Sequence, residues 1–201
     1  HTMIPLAEPF MQPEYADAVR DQIMSGFIGP GKATERFSAQ LAKHVGRKRC
    51  VLTTSGTVAL TVSFRALGLP RGARVLLPAY GVISVVNAVI EAGLFPHFVD
   101  IDRSTGRMCP LSLGRALYDT EGEQQAVCFV DFAGGVGEDL VEIRQLCEEY
   151  GALFIEDAAC ALGHSFDSTS AGAFGTTSTL SFAPQKIVPT VQGGAILTDD
   201  S

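Results

Sequence analysis

The sequence predicts an α/β fold in which a mostly parallel, seven-stranded sheet is flanked by helices. Short β-rich runs alternate with helical patterns along the chain, which is typical of a sheet that helices cover on both faces. Several of the β-rich runs are continuously apolar, as expected for strands that are buried on both faces. The predicted strands are Cys50–Thr53, Arg74–Pro78, Phe95–Ile101, Ala126–Phe132, Ala152–Glu156, Thr177–Phe182 and Ala195–Thr198.

Helices are predicted before and between these strands from the spacing of their apolar residues. Asp139, with Glu142 three residues later, forms a capping-box pattern at the start of the last helix. Most of the helices are followed by a glycine that can end a helix in the left-handed conformation: Gly26, Gly46, Gly68, Gly93 and Gly151. The predicted helices are Pro13–Ser25, Thr34–Val45, Thr57–Leu67, Ile83–Ala92, Leu111–Tyr118 and Asp139–Tyr150.

The charge pattern argues against nucleic acid and membrane as partners. The chain has 201 residues and a net charge of −7, and its basic residues are dispersed. An acidic chain without a basic face is a poor nucleic-acid binder. Arg47–Arg49 is the only basic cluster, and we interpret it as a solvated turn rather than a phosphate or nucleic-acid patch. No apolar run reaches the roughly 18 residues of a membrane span.

Cysteine usage and domain organisation indicate a one-domain cytoplasmic protein. The cysteines are scattered, odd in number and without the spacing of metal ligands, so we expect reduced thiols and no metal site. We interpret residues 1–3 as a cloning scar ahead of a natural start at Met3. No linker or repeat divides residues 4–201. The cysteines are Cys50, Cys109, Cys128, Cys147 and Cys160.

The segment Thr54–Leu60 predicts either a phosphate site or an ordinary helix cap. A strand ends there, a turn of small residues follows, and a helix begins with free backbone N–H groups. Such a helix start binds phosphate through those amides and the helix dipole. Serine and threonine also cap many helices that bind nothing.

The segment Leu153–Ala159 places two acids, Glu156 and Asp157, at the carboxyl end of a buried strand. Ligands of α/β sheets bind at that end of the strands. One acid there can keep a cationic ring nitrogen protonated through its opposite charge. The alternative is a helix-capping or surface acid.

The segment Ser181–Lys186 places a lysine just past a strand, with Gly193 and Gly194 following before the last strand. A lysine whose amine is deprotonated by its surroundings forms a Schiff base with a carbonyl compound. The alternative is a surface lysine that keeps the protein in solution.

Together, in this order and spacing, the segments resemble the large domain of the DegT/DnrJ/EryC1/StrS family, the sugar aminotransferases that depend on pyridoxal 5′-phosphate (PLP). The resemblance runs from Ile4 to Asp200 and implies a fold-type-I PLP-transferase large domain over residues 4–201. The segments that carry it are Ser25-Gly26, Ser55–Thr57 with Ala59-Leu60, Pro78–Tyr80, Val99–Asp102, Glu156–Ala159 with Gly163, and Ser181-Phe182 with Lys186 and Gly193-Gly194.

The resemblance implies a role for each matching residue. Lys186 would hold PLP covalently and, once freed by the amino donor, would move the reacting proton. Asp157 would keep the pyridine nitrogen protonated, which makes the ring an electron sink. Gly56, Thr57 and Ser181 would cradle the phosphate. The small-molecule substrates implied are glutamate or glutamine as amino donor and a keto group on a nucleotide-linked sugar as acceptor.

The chain departs from the family pattern inside the implied cofactor site. Val82 stands where the family usually has an aromatic ring that stacks on PLP, which leaves Tyr80 to take over. Cys160, a weak hydrogen-bond donor, replaces a glutamine near the phenolic oxygen of PLP. Asp131 stands where the family usually has a histidine after its fourth core strand. Lys186 argues against the dehydratase branch of the family, in which a histidine replaces the lysine.

Family members are roughly twice as long, so the C-terminal small domain is expected to be absent from this chain. We therefore expect a homodimer, or an assembly with a chain that supplies the missing half, to complete the site. The leading hypothesis is an aminotransferase of sugar or secondary-metabolite biosynthesis. The alternatives are a non-catalytic, aminotransferase-derived subunit that supports a partner enzyme, and a PLP enzyme with a changed reaction.

Overall fold

The computed structural model describes residues 7–200, and the interpretation of residues 1–3 and the matches at Ile4–Leu6 lie outside this range. Its centre is a seven-stranded sheet in the order β1-β9-β8-β5-β4-β2-β3. The remaining strands, β6 and β7, form a small hairpin of two residues each. The strands are β1 Arg49–Thr53, β2 Arg74–Pro78, β3 Phe95–Val99, β4 Ala126–Val130, β5 Leu153–Asp157, β6 Ser165–Phe166, β7 Thr169–Ser170, β8 Thr177–Ser181 and β9 Gly194–Thr198.

The predicted fold class is confirmed. The run from β3 through β2, β4 and β5 to β8 is parallel throughout. The other end of the sheet is antiparallel, because β9 lies between β8 and β1 and runs opposite to both. All the parallel strands point their carboxyl ends to the same edge, where Asp157 and Ser181 end β5 and β8.

Helices cover both faces of the sheet and divide its interior into apolar clusters. Helices α5 and α6 pack on one face around Phe129 and Leu140. Helices α3 and α4 pack on the other face around Phe64 and Val75. The helices are α1 Pro13–Met24, α2 Lys32–Val45, α3 Gly56–Ala66, α4 Ile83–Glu91, α5 Pro110–Asp119 and α6 Glu138–Glu149.

The helix ends agree with the predictions to within two residues, and the glycines predicted to end helices all have positive φ. The predicted capping box is wrong. Helix α6 begins at Glu138, with Gly137 as its N-cap. The carboxylate of Asp139 instead accepts hydrogen bonds of 2.6 and 2.9 Å from Arg107, an ion pair that local sequence spacing does not reveal.

Two strands end two residues earlier than predicted because turns follow them. Strand β3 ends at Val99, and Ile101 only bridges to Met108 across a turn. Strand β4 ends at Val130, since Phe132–Gly134 forms a 3₁₀ turn. Within residues 7–200, none of the helices is long and apolar enough to cross a membrane.

Candidate functional site

Asp157, the last residue of β5, is a buried acid at the carboxyl edge of the sheet. Its Oδ1 accepts hydrogen bonds from the backbone N–H of Ala159 at 3.2 Å and from the hydroxyl of Thr179 at 3.3 Å. Burial raises the pKa of Asp157 to about 6, although the Ala159 amide and the nearby Lys186 charge act in the opposite direction. A buried acid with so few partners is suited to a cationic ligand.

Lys186 lies in the loop between β8 and β9 and is half-buried. The loop is closed by 2.9 Å hydrogen bonds from the N–H of Phe182 to the carbonyl of Gly193 and from the N–H of Thr190 to the carbonyl of Phe182. The amine of Lys186 donates to Cys160 Sγ at 2.9 Å. Lys186 is thus held beside the segment that follows Asp157, and is not a free surface lysine.

The start of α3 forms a cradle with free amides. Ser55 caps the helix by accepting a 3.1 Å hydrogen bond from Val58 N–H. The first N–H groups of a helix have no acceptor within it, which leaves the amides of Gly56 and Thr57 available to an anion. A Cβ on Gly56 would lie 2.9 Å from Cβ of Ser181, so only glycine lets the end of β8 approach this closely.

Glu156, the other acid of the pair, faces away from this cradle and has a structural role. Its buried carboxylate accepts four hydrogen bonds, from the N–H groups of Gly172, Phe174 and Gly175 and the hydroxyl of Ser178. The distances are 2.6 to 3.2 Å. Glu156 therefore holds the turn that leads into β8.

Arg47 holds the same turn from its carbonyl side. Its guanidinium donates to the carbonyls of Gly172 and Gly175 and pairs with Asp199 at 2.9 Å. Only 8% of its side chain is exposed. The interpretation of Arg47–Arg49 as a solvated turn is therefore wrong for Arg47, because the fold brings buried carbonyls to it.

Asp131, which follows β4, is buried, and among the described residues no group hydrogen-bonds to either oxygen of its carboxyl. Burial raises its pKa well above the ordinary value, and the charges of Glu156 and Asp157 raise it further. Burial at this position therefore disfavours the ionised form of the Asp131 side chain.

Tyr80 and Val82 follow β2, and both are more than half exposed. The Tyr80 ring packs on Phe132, with ring centroids 4.9 Å apart. Val82 caps the start of α4 and lines a cavity of about 240 Å³ with Leu77 and Phe98.

Val191 has the left-handed backbone conformation, with φ of 70°, in the Lys186 loop. A β-branched residue there costs on the order of 1–3 kcal/mol, so the loop carries backbone strain close to Lys186.

The fold brings most of the predicted site residues to one edge of the sheet. Ser181 touches Gly56, and Lys186 touches Cys160, three residues after Asp157. Tyr80 connects less directly: it packs on Phe132, and Gly134 of the same turn lies against the Cys160 carbonyl. Val82 instead lines the cavity at α4. Within residues 7–200, none of the other predicted site residues lines this cavity.

This arrangement combines an amine, a buried acid and a helix start with free amides. The helix start can bind a phosphate, the acid can pair with a cationic ring, and the amine can bond to an aldehyde. A family model described as the DegT/DnrJ/EryC1/StrS aminotransferase family matches residues 9–201. The chain belongs to this family.

One curated relative is the dTDP-4-dehydro-2,3,6-trideoxy-D-glucose 4-aminotransferase of Saccharopolyspora spinosa, 34% identical over 98% of this chain and 51% of its own. Among solved structures, Helicobacter pylori PseC, an aminotransferase involved in the biosynthesis of pseudoaminic acid, has a TM-score of 0.89 and 26% identity. The match covers 52% of the PseC chain and 98% of this chain.

A dehydratase of the same fold is also similar to this chain. The E. coli GDP-4-keto-6-deoxy-D-mannose-3-dehydratase, solved with hydrated PLP, has a TM-score of 0.91 and 27% identity, with 98% of this chain and 51% of the neighbour covered. The chain thus spans about half the length of these similar proteins.

Sequence reasoning missed two residues of the site. Thr179 donates to Asp157, and it could have been found because it lies two residues before Ser181 and so on the same side of β8. Phe132 supports Tyr80, but their contact joins segments about 50 residues apart, and no local pattern indicates it.

Proposed function

We propose that this chain is the PLP-binding part of an aminotransferase that transfers an amino group to a keto group on a nucleotide-linked sugar. The main support is that Lys186 lies against the segment following the buried Asp157, at the sheet edge that also carries the start of α3. The residues present fit PLP, because the first amides of α3 have no acceptor within the helix and the Asp157 carboxylate has only Ala159 and Thr179 as hydrogen-bond partners among the described residues.

In this proposal, the amides of Gly56 and Thr57 and the hydroxyl of Ser181 bind the phosphate of PLP. The contact between Gly56 and Ser181 aligns these donors. Gly194 packs against the carbonyl of Ser55, so the start of β9 supports the cradle from behind.

Asp157 pairs with the pyridine nitrogen and holds a proton there. PLP, when bound there, would supply an electron sink for the reaction of the amino donor. Thr179 and the Ala159 amide orient Asp157 for this contact. The amine of Lys186 would hold PLP and, when free of it, would move the proton of the donor at Nζ.

Cys160 and Tyr80 are proposed to border the cofactor, and Val82 to leave the stacking position without an aromatic ring. Cys160 contacts the amine that PLP needs, and Tyr80 is held by Phe132. The weaker contacts that these residues offer to the cofactor favour a second candidate. This candidate is an aminotransferase-derived subunit that supports a partner enzyme without catalysis.

The test is an absorption spectrum of the purified protein with PLP, before and after borohydride. We expect a band at roughly 410–430 nm, which borohydride removes as it fixes PLP to Lys186, and no such band in Lys186→Ala. Lys43→Ala, an exposed lysine of α2, is the matched control and should keep the band. A band that survives in Lys186→Ala, or no band in the natural chain, would contradict PLP binding through Lys186.

We also propose that the protein works as a dimer or a larger assembly of this chain. Helix α1 has no buried residue, and Tyr15, Val19 and Ile23 form an exposed apolar face on it. Apolar surface of this kind is normally covered by protein. Light scattering at micromolar concentration should give at least twice the 21.3 kDa of one chain, and a stable monomer would contradict the proposal.

A further inference from the structure

The contact between Lys186 and Cys160 joins an amine and a thiol at 2.9 Å, and both side chains are partly exposed. Within residues 7–200, no other lysine amine hydrogen-bonds to a cysteine sulfur. The two residues come from different segments, the turn after β5 and the loop after β8. The fold, rather than chain connectivity, therefore holds the two nucleophiles together.

Peroxide chemistry has a defined outcome at such a contact. A hydroperoxide oxidises a thiol to a sulfenic acid and releases water. A nitrogen nucleophile beside the sulfenic acid attacks its sulfur, forms an S–N bond and releases a second water. The thiol and amine together lose two hydrogens, and the peroxide is reduced to water, so atoms and electrons balance.

We propose that hydrogen peroxide converts this contact into a covalent sulfenamide between Cys160 Sγ and Lys186 Nζ. The cross-link forms in the chain without PLP, because it needs only the two side chains. Two equivalents of an external thiol cleave it, since they take the sulfur and nitrogen back to thiol and amine and leave as a disulfide. Cys160, a departure from the family pattern, thereby becomes a reversible modification site.

The consequence for activity rests on the proposed function. The cross-link uses the amine that PLP would bind, so the oxidised chain cannot attach the cofactor. PLP that borohydride has already fixed on Lys186 should in turn prevent the cross-link. Peroxide and PLP thus compete for one nitrogen.

The other cysteines lack this arrangement. Cys128 and Cys147 are buried, and burial raises the pKa of both thiols, which disfavours the reactive thiolate. Burial also raises the pKa of Cys50. Cys109 is partly exposed like Cys160, but among the described residues no lysine amine donates to its sulfur, so it serves as the matched control.

The experiment treats the purified chain, without PLP, with a small excess of hydrogen peroxide and maps the products by peptide mass spectrometry. We expect a linked pair of peptides, about 2 Da lighter than their sum, that joins Cys160 to Lys186 and disappears with dithiothreitol. The link should be lost in Cys160→Ser and in Lys186→Arg and retained in Cys109→Ser. Cys160 found only as an oxygen adduct or a disulfide, with Lys186 free, would overturn the proposal.

A second readout separates this inference from the proposed function. PLP attachment is measured on the unoxidised chain by borohydride fixation, and cross-linking is measured by mass without PLP. A cross-link without PLP attachment would reject the proposed function and leave the modification site standing. PLP attachment that is undiminished after peroxide would reject the inference and leave the proposed function standing.

Discussion

Glu156→Gln is expected to lower the free energy of unfolding by about 3 kcal/mol, although Glu156 makes no contact in the candidate site. The carboxylate accepts four buried hydrogen bonds. A glutamine offers one acceptor oxygen and turns its NH₂ group toward N–H donors. At least one buried backbone donor then has no partner, and each such group costs about 1–3 kcal/mol.

Urea unfolding at pH 7 measures this effect, with the midpoint falling and the slope unchanged. Glu149→Gln, an exposed glutamate at the end of α6, is the matched control and should change stability by less than about 0.5 kcal/mol. If Glu156→Gln were as neutral as this control, the turn between β7 and β8 would not depend on the carboxylate.

Asp157→Asn is expected to have opposite effects on the chain with and without PLP. The pKa of Asp157 is raised from 3.8 to about 6, so the fold disfavours its ionised form. In the PLP-free chain, protonated Asp157 therefore contributes stability that is lost as the pH rises from its ordinary pKa to about 6. This contribution amounts to about 3 kcal/mol. The asparagine removes this loss, so Asp157→Asn should gain about that amount at pH 7 and little at pH 4.

The same substitution should weaken PLP binding by about tenfold to a hundredfold at pH 7, because a charged hydrogen bond to the ring nitrogen contributes about 1.5–3 kcal/mol. Thermal unfolding of the PLP-free protein at pH 4 and pH 7, together with PLP titration at pH 7, measures both effects. Asp119→Asn, an exposed acid at the end of α5, is the control and should change neither. If Asp157→Asn lowered the stability of the PLP-free protein at pH 7, the result would contradict the view that burial disfavours the ionised form of Asp157.

If both effects are observed, their opposition explains why a buried acid is present at this position. An ionisable group that lowers the stability of the empty protein has a use only when a ligand supplies the opposite charge. Asp131 shows the contrasting case, since burial raises its pKa without a partner among the described residues. For Asp131 the structure provides no such use.

The sequence predicted much of the candidate site because its motifs are local. Asp157 ends a strand, Lys186 and the start of α3 each follow one, and parallel strands end at one edge of a sheet. The sequence alone did not show which of the two neighbouring acids, Glu156 or Asp157, faces the candidate site. Neighbours in a strand point to opposite faces, but which face carries the cradle depends on the packing of α3. The structure shows that Glu156 faces the turn at Gly172–Gly175 instead.

The sequence by itself determined the α/β class, the helix ends to within two residues, and membership of the family. Periodicity and turn residues are local properties, so they can be read without the fold. Only the tertiary structure decided the insertion of β9 between β1 and β8, the burial of Arg47 and the contact of Lys186 with Cys160. Each of these joins residues that are far apart in the chain, such as Arg47 and Gly175 at a separation of 128. Such pairs meet only when the whole sheet has been assembled, because burial against distant strands, rather than local propensity, brings them together.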